Sequence, residues 1–363
     1  MIRILHLQTE LNLACGVTRT ISQIIKNSSS EFEHHLIALG GDGLNRFEAF
    51  NFNPIVLNFD RFSLIGALKI YFSLLNYCKK YSIQIIHSHH RSFDTITWLF
   101  KPFLKVKSIT SVQSKVSGKN LLSYKSGTLI ACSDTIKNHL IKSFKINENR
   151  IKVIYNSVDS AEAISTKTKT ELLNSLDIPL NKYIIGYFGR FDFKEKGVDI
   201  LLEAFLELSK TREDMFLLLI GDGVEENKVK SFIKINKLSN VKVISSQKDI
   251  YNYYQLLDVF VLPSRIEPFG IVLIEAGMMN RPIIASNVDG IPEIIENEKS
   301  GLLFKSENVE DLTKCILRLI NDSELAENLA ENLYNKVIDN FLTSNMVAKY
   351  EHEYKKLLNS NVI

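Results

Sequence analysis

Short apolar runs of strand length alternate with stretches of helical spacing along nearly the whole chain, the pattern of a parallel sheet covered by helices. In the first half, strands are expected at Ile2–Leu7, Leu36–Leu39, Ile55–Leu57, Ile83–His87, Ser108–Val112, Thr128–Ala131 and Ile151–Ile154. Helical periodicity marks Val17–Lys26, Leu64–Lys80 and Thr135–Phe144. The rhythm lapses over Asp159–Leu180, rich in Ser, Thr, Lys and Asn, where a linker is expected. A second set follows, with strands at Tyr183–Phe188, Met215–Ile220, Val241–Ile244, Val259–Leu262, Pro282–Ala285 and Leu302–Phe304. Its helices are expected at Val198–Ser209, Glu225–Ile235, Ile271–Met279, Val309–Ile320 and Ser323–Asn340, with a last amphipathic one at Ser344–Leu358. A chain of 363 residues exceeds what one core usually supports. The expected fold class is therefore α/β, with two doubly wound, Rossmann-like domains (residues 1–165 and 175–340) facing a central cleft. Neither half carries G-x-G-x-x-G after its first strand, so a hydride-transfer reading lacks its fingerprint.

Composition narrows the class. A mean hydropathy of zero, 45% apolar residues and seven prolines predict a globular, soluble chain. The opening MIRILHLQTE reads as a strand rather than a leader, and no apolar run reaches the ~18 residues of a membrane span. Cys15, Cys78, Cys132 and Cys315 form no CxxC pair and read as reduced thiols of a cytoplasmic protein. Charge is uneven: residues 1–170 hold 22 Lys and Arg against 11 Asp and Glu, and the remainder 22 against 30. Lys101–Lys152 alone has eleven basic residues and two acids, Asp134 and Glu148. That is either a solvated basic face or a surface drawn to anionic lipid or a phosphate-bearing acceptor. Nucleic acid is not expected, because no basic helix or aromatic-interleaved strand accompanies the charge.

The chemistry concentrates in two strand–loop–helix units. Gly189-Arg190 ends one strand and Lys196-Gly197 opens the next helix. A helix start presents free N–H groups and a positive dipole end to an anion, to which Arg190 adds a planar fork and Lys196 a point charge. In the second unit Glu267 stands between Pro263 and Pro268, before Phe269-Gly270-Ile271, and Glu275 lies eight residues on, among apolar neighbours. A carboxylate is costly to strip of water unless something binds it. Acids suited to sugar hydroxyls and cations suited to a diphosphate together suggest a sugar-nucleotide site.

The runs GRFDFKEKG, LLLIGDG, VLPSRIEPFGIVLIEAG and RPIIASNVDGIPEII, with ACSDTIKNHL and IKVIYNSVDS before them, closely resemble the retaining GT-B glycosyltransferases of family four (glycosyl transferases group 1). Glu267 and Glu275 reproduce that family's two-glutamate motif. The resemblance implies transfer of a sugar from a nucleoside-diphosphate donor to a glycan or lipid-linked acceptor, with retention and without a metal or cofactor. Glu267, Arg190 and Lys196 would be the catalytic set: the two cations hold the diphosphate and Glu267 the sugar hydroxyls. Amides at Phe269, Gly270 and Ile271 would complete those contacts, and Glu275 would take the ribose. Gly16, Gly189, Gly221 and Ser245 complete the implied donor site. Cys15 stands where a first glycine is common in the loop before Gly16, and Ser157 and Ser245 also replace glycines.

On the acceptor side the resemblance points to His87, His89, His90, Arg91 and Gln113, the last standing where many relatives have a histidine. The H-x-H-H run reads as acceptor or donor contact or as plain loop histidines; without a carboxylate or cysteine it is a poor zinc signature. The final helix, residues 344–363, would pack back on the first domain. Phe62–Tyr81 is unusually apolar and aromatic for a covering helix, fitting core packing or an edge dipping into a membrane interface. The implied setting is surface polysaccharide assembly (capsule, exopolysaccharide or O-antigen) in the bacterial cytoplasm, peripheral at the inner face of the membrane. A sugar-nucleotide epimerase and a catalytically silent partner subunit are the alternatives.

Overall fold

A computed structural model describes residues 1–12, 15–48, 52–57, 64–99, 101–104, 106–118 and 123–359. The chain forms two compact units, one of Met1–Asn156 with Thr343–Ile363 and the other of Ser157–Leu342.

The first unit holds seven parallel strands: β1 (Ile2–Gln8), β2 (Phe32–Ala38), β3 (Ile55–Val56), β4 (Ile85–Ser88), β5 (Lys107–Val112), β6 (Thr128–Ala131) and β7 (Ile151–Val153). Their order is β3-β2-β1-β4-β5-β6-β7, so the direction of winding reverses between β1 and β4. Alternate residues serve opposite faces. Leu5, Leu7 and Ile86 pack with Ile70, Leu74 and Phe93 on one side; Ile4, Ile85 and Ile109 pack with Met346, Tyr350 and Tyr354 on the other. The last three belong to the terminal helix Thr343–Asn359, which also packs on the helix Gly16–Asn27.

Two departures from the expected elements share one cause, polar side chains held by partners distant in the chain. β2 begins four residues early, at Phe32, because its polar stretch is paired: Glu33 with Arg3 at 3.0 Å, His34 with His6 at 2.9 Å. The helix Arg91–Leu99 was not expected, its apolar stripe being broken by Asp94. That carboxylate is wholly buried, accepting from the amides of Lys125 and Ser126 and the hydroxyl of Thr110. The helix Leu64–Lys80 has its expected bounds; Phe62 and Ser63 of the apolar segment lie outside the described residues.

The second unit has six parallel strands: β8 (Tyr183–Phe188), β9 (Met215–Ile220), β10 (Val241–Ile244), β11 (Val259–Leu262), β12 (Ile283–Ser286) and β13 (Leu302–Phe304). Their order, β10-β9-β8-β11-β12-β13, is that of doubly wound nucleotide-binding sheets, with the reversal between β8 and β11. Gly277 lets the helix Ile271–Met278 lie close on Ser323–Asn340, since an added Cβ would meet Leu333 at 2.8 Å. The expected linker contains a helix, Lys169–Ser175, started by a reciprocal capping box between Thr168 and Glu171. Leu172 and Leu173 are buried, too few apolar positions to establish a helical period.

Candidate functional site

β8 and β11 pair side by side, Val259 with Ile185 and Phe260 with Gly186. The loops that follow them leave the same sheet end at the reversal point, where open α/β sheets hold ligands. Those loops touch backbone to backbone. Gly197 has φ +62°, and a Cβ there would run into the carbonyl oxygen of Pro263; only glycine satisfies both constraints without strain. The amides of Arg265 and Ile266 donate to the carbonyl of Glu195 at 2.8 and 3.0 Å. The Arg265 guanidinium forks onto Asp199 at 2.8 and 2.9 Å and reaches Glu307 at 2.7 Å. A bidentate fork of this kind fixes orientation as well as distance.

Across this seam Lys196 Nζ donates to Glu267 Oε2 at 2.8 Å, and Ser264 Oγ donates to the same oxygen at 3.2 Å. Both side chains of the ion pair are mostly covered, Lys196 18% and Glu267 10% exposed. The Glu267 backbone is anchored too, its amide to Asp289 at 3.1 Å and its carbonyl to the Gly290 amide at 3.0 Å. Beneath, burial and then the Glu267 charge push the Tyr187 phenol well up, so it stays protonated and donates to the Arg190 carbonyl at 2.7 Å. Arg190 itself is exposed and pairs with Glu195 at 2.7 Å and Asp192 at 3.7 Å.

Gly270, at φ +102°, precedes the helix Ile271–Met278, which has no side-chain cap. The Leu273 amide donates to the Gly270 carbonyl at 2.9 Å, and the amides before it, at the helix start, have no intrahelical acceptor. Phe269 is buried against Phe341. Glu275, buried in that helix, accepts from Tyr254 Oη at 2.9 Å. Gly189 and Gly221 follow β8 and β9, and a Cβ on Gly221 would strike the Gly189 carbonyl. Ser245 follows β10; the Ser246 hydroxyl first, then its amide and the Ser245 hydroxyl, hold the Asp222 carboxyl below its ordinary range.

The residues singled out in the first unit separate. Gly16 is the first residue of its helix, and Cys15 makes no side-chain cap. His87 is inside β4 rather than in a loop, wholly buried, with Nδ1 2.7 Å from Tyr354 Oη and Nε2 2.7 Å from Ser111 Oγ. His89 is buried and within 3.0 Å of His6, which in turn bonds His34. Burial, with neighbouring imidazoles for three of the four, keeps these rings neutral: His6 and His87 lie far below the ordinary range, His34 is lowered to about 4 and His89 to about 3. His90 bonds Ser92 at 2.7 Å, and Arg91 reaches the carbonyls of Ser117 and Gly118 at 3.1 and 3.3 Å. Gln113, just past β5, keeps its buried Nε2 without a partner.

Sequence reasoning missed Asp199, Arg265, Asp289, Tyr254, His6 and His34. Arg265 lies within a recognised run and Asp199 just beyond another, but nothing in their spacing marks them as partners, and Tyr254 lies in a tyrosine-rich turn without a motif.

The family model described as Glycosyl transferases group 1 matches residues 168–336, and that of Glycosyltransferase Family 4 matches residues 14–162. An uncharacterised glycosyltransferase of Methanocaldococcus jannaschii, MJ1178, is 29% identical over 87% of this chain and 88% of its own. The capsular polysaccharide biosynthesis glycosyltransferase CapM of Staphylococcus aureus is 28% identical over 63% of this chain and 62% of its own. Among solved structures, Anabaena HepE in complex with UDP-glucose superposes with a TM-score of 0.87 at 17% identity, covering 98% of this chain and 100% of that one.

Proposed function

We propose that this chain, which belongs to the group 1 glycosyltransferases of GT-B type, moves a sugar from a nucleoside-diphosphate donor to a glycan or lipid-linked acceptor with retention and without a metal. The observation that carries the reading is the covered Lys196–Glu267 pair at the reversal point of the second sheet. A sugar nucleotide needs both signs of charge within a few ångströms, cations for the diphosphate and a carboxylate for sugar hydroxyls. Binding of UDP-glucose by HepE and the role of CapM in capsule synthesis support a nucleotide donor and a surface-glycan product.

In this reading Lys196 and Arg190 stabilise the charge that develops on the leaving diphosphate as the glycosidic bond breaks, with the amides after Gly270 adding to them. The acceptor hydroxyl forms the new bond, and its proton passes to the departing phosphate. Arg190 exchanges Glu195 for phosphate oxygens on donor binding, while Glu267 and Glu275 accept from sugar and ribose hydroxyls. His90, Arg91 and Gln113 stand on the acceptor side, whereas His87 and His89 are buried and take no part in it. Exposed Ile65, Leu68, Phe72, Trp98, Leu99 and Phe103 lie on three mutually packed helical segments of the first unit, with Lys125 5.6 Å from the Trp98 ring. They suit a peripheral contact with an anionic membrane carrying a lipid-linked acceptor. No helix among the described residues is long and apolar enough to cross a membrane.

The test is a thermal-shift screen against UDP-, GDP- and ADP-sugars, followed by transfer to lipid-linked glycans. One donor class should raise the melting temperature by mass action and be consumed in an acceptor-dependent way. Absence of any donor shift in the wild-type chain, or an undiminished shift and turnover in Glu267→Ala, would sink the reading.

A further inference from the structure

We propose that His6, His87 and His89 bind one divalent transition-metal ion of the zinc type inside the first unit, a site separate from the donor loops and independent of the sugar-transfer reading. The fold assembles what the H-x-H-H run lacks. His6 and His87 are register partners on adjacent strands β1 and β4, and His89 continues the same face. One ring nitrogen from each lies within 4.8 Å of the other two, and the ring centroids are 4.0, 5.1 and 5.3 Å apart. His6 Nδ1 and His89 Nε2 are 3.0 Å apart, close to the edge of about 3.4 Å between two nitrogens on one tetrahedral zinc ion.

Hydrogen bonding alone satisfies this cluster poorly. A neutral imidazole donates once and accepts once, so the two outer nitrogens of the chain His89–His6–His34 need partners beyond it. Those ends are visible: His89 Nδ1 and His34 Nε2 are buried without a partner, in an interior where an unpaired polar atom is costly. A cation would draw the lone pairs of all three rings inward and leave each remaining N–H directed outward. His34 is in place as the outer partner of His6, 2.9 Å from its Nε2; His87 has Tyr354 on Nδ1 and Ser111 on Nε2, each at 2.7 Å, so it keeps one of them as outer partner and releases the other to bind the ion. Oriented second partners of this kind accompany metal-ligating histidines. Three imidazoles without thiolate or carboxylate favour Zn²⁺, Co²⁺, Ni²⁺ or Cu²⁺ over Mg²⁺ or Ca²⁺.

The untagged full chain should retain close to one transition-metal ion per molecule by elemental analysis. After chelator treatment it should take up Co²⁺ with visible d–d absorption. His89→Asn, at the open end of β4, should lose that uptake. His34→Asn, which touches only His6, should weaken cobalt affinity by about 10–100-fold. Absence of cobalt uptake by the stripped wild type, or equal uptake by His89→Asn, overturns the proposal. If His89→Asn does not fold, the His34→Asn affinity decides: a 10–100-fold loss supports the site and an unchanged value overturns it.

Discussion

Replacing Lys196 by Met keeps most of the side-chain volume and removes the charge facing Glu267. The carboxylate left behind is 10% exposed, with Ser264 Oγ at 3.2 Å as its remaining side-chain donor. Breaking a fully buried pair costs about 3–5 kcal/mol. With Lys196 18% exposed, water reaches the gap, and a loss of about 2–3 kcal/mol is expected. At about 2–4 °C per kcal/mol for a unit of this size, melting should fall by about 4–12 °C. Turnover should fall by ~10²–10³ if the ammonium stabilises charge on the leaving group. The double variant Lys196→Met/Glu267→Gln separates the two effects. A neutral amide no longer needs a cation, so stability should return to within about 1 kcal/mol of wild type, while turnover stays low. Calorimetry of the three proteins and single-turnover transfer by each give the comparison. If the double variant regains activity along with stability, Lys196 serves only the fold, and the catalytic argument fails.

Three further outcomes follow from neighbouring contacts. Arg265→Met removes the fork to Asp199 and the bond to Glu307; kcat should fall ~10-fold or more with little change in acceptor KM, since a small misplacement of Glu267 relative to Lys196 weakens preorganisation, and unchanged steady-state kinetics would count against the stitched-loop account. Tyr254→Phe leaves buried Glu275 without its phenolic donor, costing about 1–3 kcal/mol by denaturant titration and raising donor KM more than it lowers kcat. Gly197→Ala places a methyl against the Pro263 carbonyl at positive φ; destabilisation by more than about 1 kcal/mol is expected, and a neutral melting curve would contradict the described loop packing.

Much of the architecture was legible because buried parallel strands must be apolar on both faces, a requirement that leaves its mark residue by residue. Tyr183–Phe188, Met215–Ile220 and Val259–Leu262 appear with their expected bounds for that reason. Glycines also announced themselves, since Gly197 and Gly270 stand where backbone approach or a positive φ excludes other residues. Legibility failed where an interior position was polar. Phe32–His35 and the Asp94 helix looked like surface, because the covering of His34 and Asp94 is compensated by partners as many as 32 residues away.

Local pattern therefore determined the α/β alternation, the strand–loop–helix units and the residue types suited to a sugar nucleotide. Strand order decided the rest. Placing β11 beside β8, and β4 beside β1, put Glu267 on Lys196 and gathered His6, His87 and His89 into one buried cluster. Charge pairing and metal ligation act over a few ångströms, whereas the partners here are 71 and 81 residues apart in the chain, and no periodicity in a one-dimensional string encodes that proximity.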